Sequence, residues 1–128
     1  MKKKTLGKLK QDLQKVFNEY IRLRDSGKPC ISCGEYNKLQ AGHYHAVSGY
    51  DGLRFDEDNV HGECARCNCW DESHLIRYGI NLKNKIGEED YQSLLEKAAE
   101  YKRNGYRFSR IEIEEKIQYY KEQVKKLK

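Results

Sequence analysis

Two short stretches decide how this chain is read: CISCG at residues 30–34 and CARCN at residues 64–68. Each carries a Cys-x-x-Cys pair, and 30 residues lie between Cys33 and Cys64. Two such pairs offer four soft thiolates, which matches the closed tetrahedral site of a structural zinc ion. Within each pair a tight turn aims both sulfurs at one ion, and Gly34 suits the left-handed backbone that such a turn often needs. Cys30, Cys33, Cys64 and Cys67 are therefore the expected zinc ligands. Zinc in structural sites is four-coordinate, so Cys69 is read as a buried or spare thiol.

Composition explains why a metal staple is useful. The chain has 128 residues, enough for one domain, but only 38% are hydrophobic while 35% are charged. The core must be thin, and zinc binding to thiolates contributes on the order of 10 kcal/mol that the unfolded chain does not gain. The cysteine count of five is odd, no apolar leader opens the sequence, and no run reaches membrane-spanning length. These features predict no membrane partner and a reducing cytoplasm.

The net charge of +5 is unevenly spread. Residues 1–28 carry nine Lys or Arg against three acids, residues 29–79 four against eight, and residues 80–128 twelve against nine. Basic flanks around an acidic centre suit a protein that grips a polyanion and holds a cation where it acts. The same charges also suit a solvated helical surface.

The divisions follow the charge: a basic N-terminal helix in 1–28, a zinc-bearing module in 29–79 and a helical part in 80–128, all in one domain. Leu6, Leu9, Leu13, Val16, Phe17 and Tyr20 recur at three- and four-residue steps, so residues 5 to about 25 read as an amphipathic helix with Thr5 as its cap. The centre is irregular, with KLQAGHYHAV as a hairpin candidate. Leu75, Leu82 and Ile86 suggest a helix stopped by Gly87, and Tyr91, Leu94, Leu95 and Ala98 another stopped near Gly105. Ser109 and Glu112 carry a capping-box signature ahead of a stripe at Ile113, Ile117, Tyr120, Val124 and Leu127. That stripe is expected to pack on its own domain. The fold class is α+β, mostly α.

His43 in AGHY, Asn59 in EDNVHGEC and Asn68 directly after the second cysteine pair stand in an order that resembles the zinc-bearing HNH nucleases. More narrowly, CISCG, AGHY, LRFDEDNVHGECARCN and YGINLKNKIGEED resemble the NinG family of lambdoid phage recombination proteins, over roughly residues 12–100 and into the last helix. The resemblance implies a ββα-metal, HNH-like site and an endonuclease acting on branched DNA, such as Holliday junctions, in the cytoplasm of the host bacterium. It implies His43 as the base that activates water, Asn59 as its positioner and Asn68 as ligand of a catalytic magnesium or manganese ion. Many members of the wider superfamily have a metal-holding Asp or His just before the catalytic histidine, and Gly42 stands there in this chain. Water, substrate phosphate or His45 would then complete the ion's shell.

Some outlying residues have two readings. Arg54 could hold a phosphate bidentately or pair with Asp56 or Glu57. His61 is read as a structural hydrogen-bond partner and His74 as solvent-facing. In YKRNGYRFSR, residues 101–110, Lys102, Arg103, Arg107 and Arg110 could track phosphates while the aromatics stack on bases, or the segment could be a loop whose aromatics fill the core. Phe108 is assigned to the core and the arginines to phosphate. Symmetric resolution of a junction would favour a homodimer, and other phage recombination proteins are further possible partners. The alternative function is a zinc-dependent accessory protein that binds DNA structure without cutting it.

Overall fold

In the computed structural model, which describes residues 3–128, the order is helix, strand, strand, then three helices. Helix α1 spans Leu6–Arg24, and Thr5 caps it by accepting the Lys8 N–H at 3.1 Å. Strands β1 (Leu39–His43) and β2 (Val60–Cys64) form an antiparallel pair in which Leu39 faces Cys64, Gln40 faces Glu63, Gly42 faces His61 and His43 faces Val60. Helices α2 (His74–Ile86), α3 (Glu88–Asn104) and α4 (Arg110–Leu127) complete the chain. It is a mostly helical α+β fold. No helix among the described residues is long and apolar enough to cross a membrane.

Two apolar clusters flank the hairpin. On one side Leu9, Leu13, Phe17 and Ile21 of α1 meet Ile113, Ile117 and Tyr120 of α4, with Phe17 and Tyr120 edge to face at 4.9 Å between ring centroids. The last helix thus packs on its own domain, as its stripe predicts, although Leu127 stays exposed. Ser109 accepts the Glu112 N–H at 3.1 Å, but the Glu112 carboxylate bonds the Tyr106 hydroxyl instead of reaching back, so only half the capping box forms. On the other side Tyr78 and Leu82 of α2 meet Leu94 and Ala98 of α3 over Ile31 and Leu53. Phe108 is buried in the first cluster, as expected.

Two readings of the sequence need correction. KLQAGHYHAV is not a hairpin in itself: it supplies β1, whose mate lies beyond a 16-residue connection and ends on the zinc-ligand candidate Cys64. Helix α2 also runs straight across residues 79 and 80, where the charge pattern parts the zinc module from the helical C-terminal part. Its inward face explains why. His74, Tyr78, Asn81 and Lys85, at four-three-four spacing, bond Glu63, the Gly42 carbonyl, the Ile31 carbonyl and Asp25 respectively. A polar stripe, invisible to hydrophobic periodicity, binds this helix to the hairpin and the first cysteine turn.

Candidate metal centre and active site

The four cysteines come together. Gly34, with φ +78°, closes the first turn by donating its N–H to the Cys30 carbonyl at 2.9 Å. Backbone N–H groups of Cys33 and Cys64 point at Cys30 Sγ, at 3.5 and 3.3 Å. The sulfurs of Cys30, Cys33, Cys64 and Cys67 all lie within 4.8 Å of one another, with Cys33 and Cys64 at 3.8 Å. A tetrahedral ion with Zn–S bonds of about 2.3 Å needs sulfurs about 3.8 Å apart, so the set fits a metal such as zinc. Cys69 lies outside the cluster and is exposed, its thiol 3.5 Å from Gln40 Oε1.

His43 ends β1 and is half-buried, with its Nε2 3.0 Å from the Arg54 carbonyl. A carbonyl only accepts, so Nε2 carries the proton and Nδ1 keeps the lone pair. Burial pushes the His43 pKa below its ordinary 6.5; the bond to the Arg54 carbonyl opposes this and the Arg54 charge adds to it. Asn59 is fully buried, but it does not bond His43. Its Oδ1 accepts the His45 N–H at 2.8 Å, and its Nδ2 donates to the carbonyls of His45 at 3.1 Å and Leu53 at 3.2 Å. It ties His45, two residues past the end of β1, to Leu53 in the connection between the strands. The His45 ring packs between Tyr44 and Tyr50, at 4.8 and 4.7 Å between centroids, and its buried Nε2 has no partner among the described residues.

Asn68 sits in a π-helical turn, Arg66–Trp70, and its Nδ2 donates to Gln40 Oε1 at 2.8 Å. Side chains alternate along a strand, so Gln40 and Gly42 face opposite to Leu39, Ala41 and His43. No hydrogen bond joins His43 to Asn68 among the described residues. Beside Gln40 lies Glu63, fully buried, whose Oε2 accepts from the Ser32 hydroxyl and from His74 Nδ1 at 2.5 Å. His74 is therefore not solvent-facing, as the sequence suggests, but half-buried against a carboxylate. A Cβ at Gly42 would fall 2.4 Å from Glu63 Oε1, so the glycine makes room for that carboxylate.

His61 plays the structural part expected of it. Arg24 can only donate, so His61 Nδ1 accepts from Arg24 at 3.1 Å and Nε2 donates to the Asp58 carbonyl at 2.9 Å. Burial, with the charges of Lys85 and Arg24, pushes its pKa down to about 3. Asp25, missed by the sequence reading, is a buried hub that accepts from Arg24 at 3.0 Å, Gly62 N–H at 2.8 Å and Lys85 at 3.0 Å. It ties α1 to β2 and α2.

A model of the family described as bacteriophage lambda NinG protein matches residues 1–128. The chain belongs to the NinG family. It is 44% identical over 78 residues to the protein ninG of Escherichia phage 933W, covering 59% of this chain and 39% of that one. It is 41% identical over 78 residues to protein ninG of Escherichia phage lambda, covering 59% and 38%. With protein ninG of Salmonella phage P22 the identity is 42% over 76 residues, covering 58% and 37%. The matched stretch thus spans about two fifths of the length of these NinG relatives. No solved structure matches the chain.

The basic residues of this NinG chain divide into engaged and exposed. Arg54 pairs with neither Asp56 nor Glu57: its Nε donates to Gln14 at 2.6 Å, and its guanidinium reaches Asp51 at 3.7 Å. Lys102 lies over the Tyr50 ring at 5.0 Å, and Arg110 donates to the Lys4 carbonyl. Arg103, in the last turn of α3, and Arg107, in the connection from α3 to α4, are exposed.

Proposed function

We propose that this chain is a metal-dependent endonuclease that hydrolyses branched DNA, Holliday junctions and related recombination intermediates, during phage recombination. Membership of the NinG family supports this reading, and so does the order of cysteine turn, antiparallel hairpin, second cysteine turn and helix, which suits a zinc-stapled ββα-metal, HNH-like module. The observation that carries it is the His43 tautomer: with Nε2–H held by the Arg54 carbonyl, Nδ1 is free to accept a proton.

Nδ1 takes a proton from a water molecule, the oxygen attacks phosphorus, and the bond from phosphorus to the leaving sugar oxygen breaks. The low pKa of His43 keeps the ring neutral at the pH of a cytoplasm, as a base requires. A magnesium or manganese ion held by Asn68 would neutralise the charge that builds on the phosphoryl and leaving oxygens. The cysteine site would hold structural zinc, and the exposed Arg103 and Arg107 would grip phosphates. A homodimer would suit paired cuts across a junction.

Four-way junction DNA incubated with zinc-loaded protein and magnesium or manganese should be nicked, and a chelator of the catalytic ion should stop it. His43→Ala should lower the rate by roughly 10²- to 10⁴-fold while zinc content and junction binding stay at parental levels. Gly42, which offers no ligand, favours a second reading, a zinc-dependent protein that binds DNA structure without cutting; a protein that shifts junctions but never nicks them would establish it.

A further inference from the structure

The face of the hairpin turned toward α2 carries a set of groups that the proposed reaction has not used. Glu63 is fully buried on β2. A buried carboxylate is costly unless hydrogen-bonded, and among the described residues the ring that reaches it is that of His74, whose Nδ1 lies 2.5 Å from Oε2. Ser32 donates to the same oxygen, Oε2, while Oε1 has no partner among the described residues and lies against Gly42. This arrangement fixes the His74 ring. With Nδ1–H committed to Glu63, the lone pair of the neutral ring sits on Nε2, which has no protein partner among the described residues and is not among the buried unpartnered atoms.

Asn68 is held in a parallel way. Its Nδ2 is committed to Gln40, which leaves the amide oxygen free. Gln40 and Glu63 are cross-strand partners, so the two anchors stand side by side on one face. Asn68 and His74 both line one open depression, together with Asp71 and Glu72. Asp71 is already engaged by Ser73 and Arg77.

We propose that Asn68 Oδ1 and His74 Nε2 hold a divalent cation in this depression, with Glu63 as the buried carboxylate that orients His74. The inference rests on the nuclease reading in that this is the ion proposed for that reaction, and it replaces His45, whose ring is enclosed by two tyrosines, with His74. A histidine whose other ring N–H is held by a carboxylate is the usual arrangement of a metal ligand with its orienting partner. Gly42 then has a purpose: a side chain there would displace Glu63. One imidazole and one amide oxygen suit manganese or a water-rich magnesium ion, and both ligands are neutral, so the ion keeps its charge for a phosphate.

The test is manganese binding to the zinc-loaded full chain without DNA, following free Mn²⁺ by electron paramagnetic resonance. The parent should bind one Mn²⁺, and His74→Ala and Asn68→Ala should each weaken it more than tenfold with zinc content unchanged. Glu63→Gln should weaken it by roughly 10- to 100-fold, as for other orienting partners of metal ligands. In the parent, which needs no variant to fold, Mn²⁺ should broaden the His74 ring and Asn68 amide proton signals before others. No Mn²⁺ binding up to millimolar concentration, or binding unchanged in His74→Ala, would overturn the site. The outcomes separate it from the nuclease reading: His74-dependent binding in a protein that never nicks DNA supports the site and removes the nuclease. Cleavage with His74-independent Mn²⁺ binding does the reverse.

Discussion

Adding one methyl group at residue 42 should destabilise the protein by about 2.5–6 kcal/mol, the sum of overpacking and of a displaced hydrogen bond to a charged group. The new Cβ would lie 2.4 Å from Glu63 Oε1, 2.8 Å from its Cβ and 3.3 Å from its Cδ. The carboxylate tip could swing, but Glu63 Cβ is fixed to the backbone of β2 one residue from Cys64, so the strands themselves must part. Overpacking of this kind costs about 1–3 kcal/mol. Moving the carboxylate also breaks its bonds to His74 and Ser32, and a hydrogen bond to a charged group contributes roughly 1.5–3 kcal/mol. Urea unfolding of zinc-loaded Gly42→Ala should show a lower midpoint with an unchanged slope. Gly7→Ala is the control: in the first turn of α1 its Cβ would meet nothing nearer than Thr5 Oγ1 at 3.9 Å, and alanine there should stabilise by about 0.5–1 kcal/mol. A Gly42→Ala protein within about 0.5 kcal/mol of the parent, the ordinary spread of surface substitutions, would show that Glu63 does not pack on residue 42.

Gly42 also marks the border of what the sequence makes legible. The helices are written in apolar periodicity and glycine stops: Leu9, Leu13 and Phe17 point inward, and Gly87 and Gly105, at φ +93° and +72°, end α2 and α3 where their positions predict. The cysteine cluster is legible because only one geometry satisfies four thiolates on one ion. What stays hidden is polar burial. Asp25, Glu63 and His74 look like ordinary surface residues because their type favours exposure; they are inside because Lys85 and Ser32 arrive from distant segments to pair with Asp25 and Glu63, and because the neighbouring Arg24 folds back on Asp25. Leu75 misleads in the opposite direction, since the polar stripe of α2 takes the inner face and leaves Leu75 outside with Ile76 and Ile80. From sequence, residue 42 is a missing ligand. In the fold it is the space that lets a carboxylate from the neighbouring strand stand in the same neighbourhood.

Cys64→Ser should lose both metal and helical signal, because the cysteine cluster joins the turn after α1 to the end of β2; circular dichroism and metal analysis check this, and an intact metal-free fold would refute it. Replacing Arg103 and Arg107 together by Ala should lower the slope of log affinity against log salt for duplex arms by about 1.8, at about 0.9 per phosphate contact; an unchanged slope leaves the turn without a role in binding. Cleavage should fall as pH drops through the pKa of His43, with the midpoint below 6.5 because burial favours the neutral ring, so a midpoint above 6.5 would contradict the site. Asp25→Asn should cost about 2–3 kcal/mol, somewhat less than the roughly 3–5 of a fully buried pair, since Arg24 and Lys85 keep 20% and 27% of their side chains exposed. Burial alone would raise the Asp25 pKa, but the hydrogen bonds and charge of Arg24, the Gly62 N–H and Lys85 outweigh it and hold the carboxyl far below 3.8. A depressed carboxyl contributes stability that is complete above its unfolded pKa and is lost as pH falls toward the folded one. The stability gap between parent and variant should therefore stay constant from pH 7 to about pH 5 and narrow only below about pH 3.8. Because acid strips zinc from both proteins alike, the difference between them isolates Asp25, and a gap that closes already near pH 6 would assign the effect to another group.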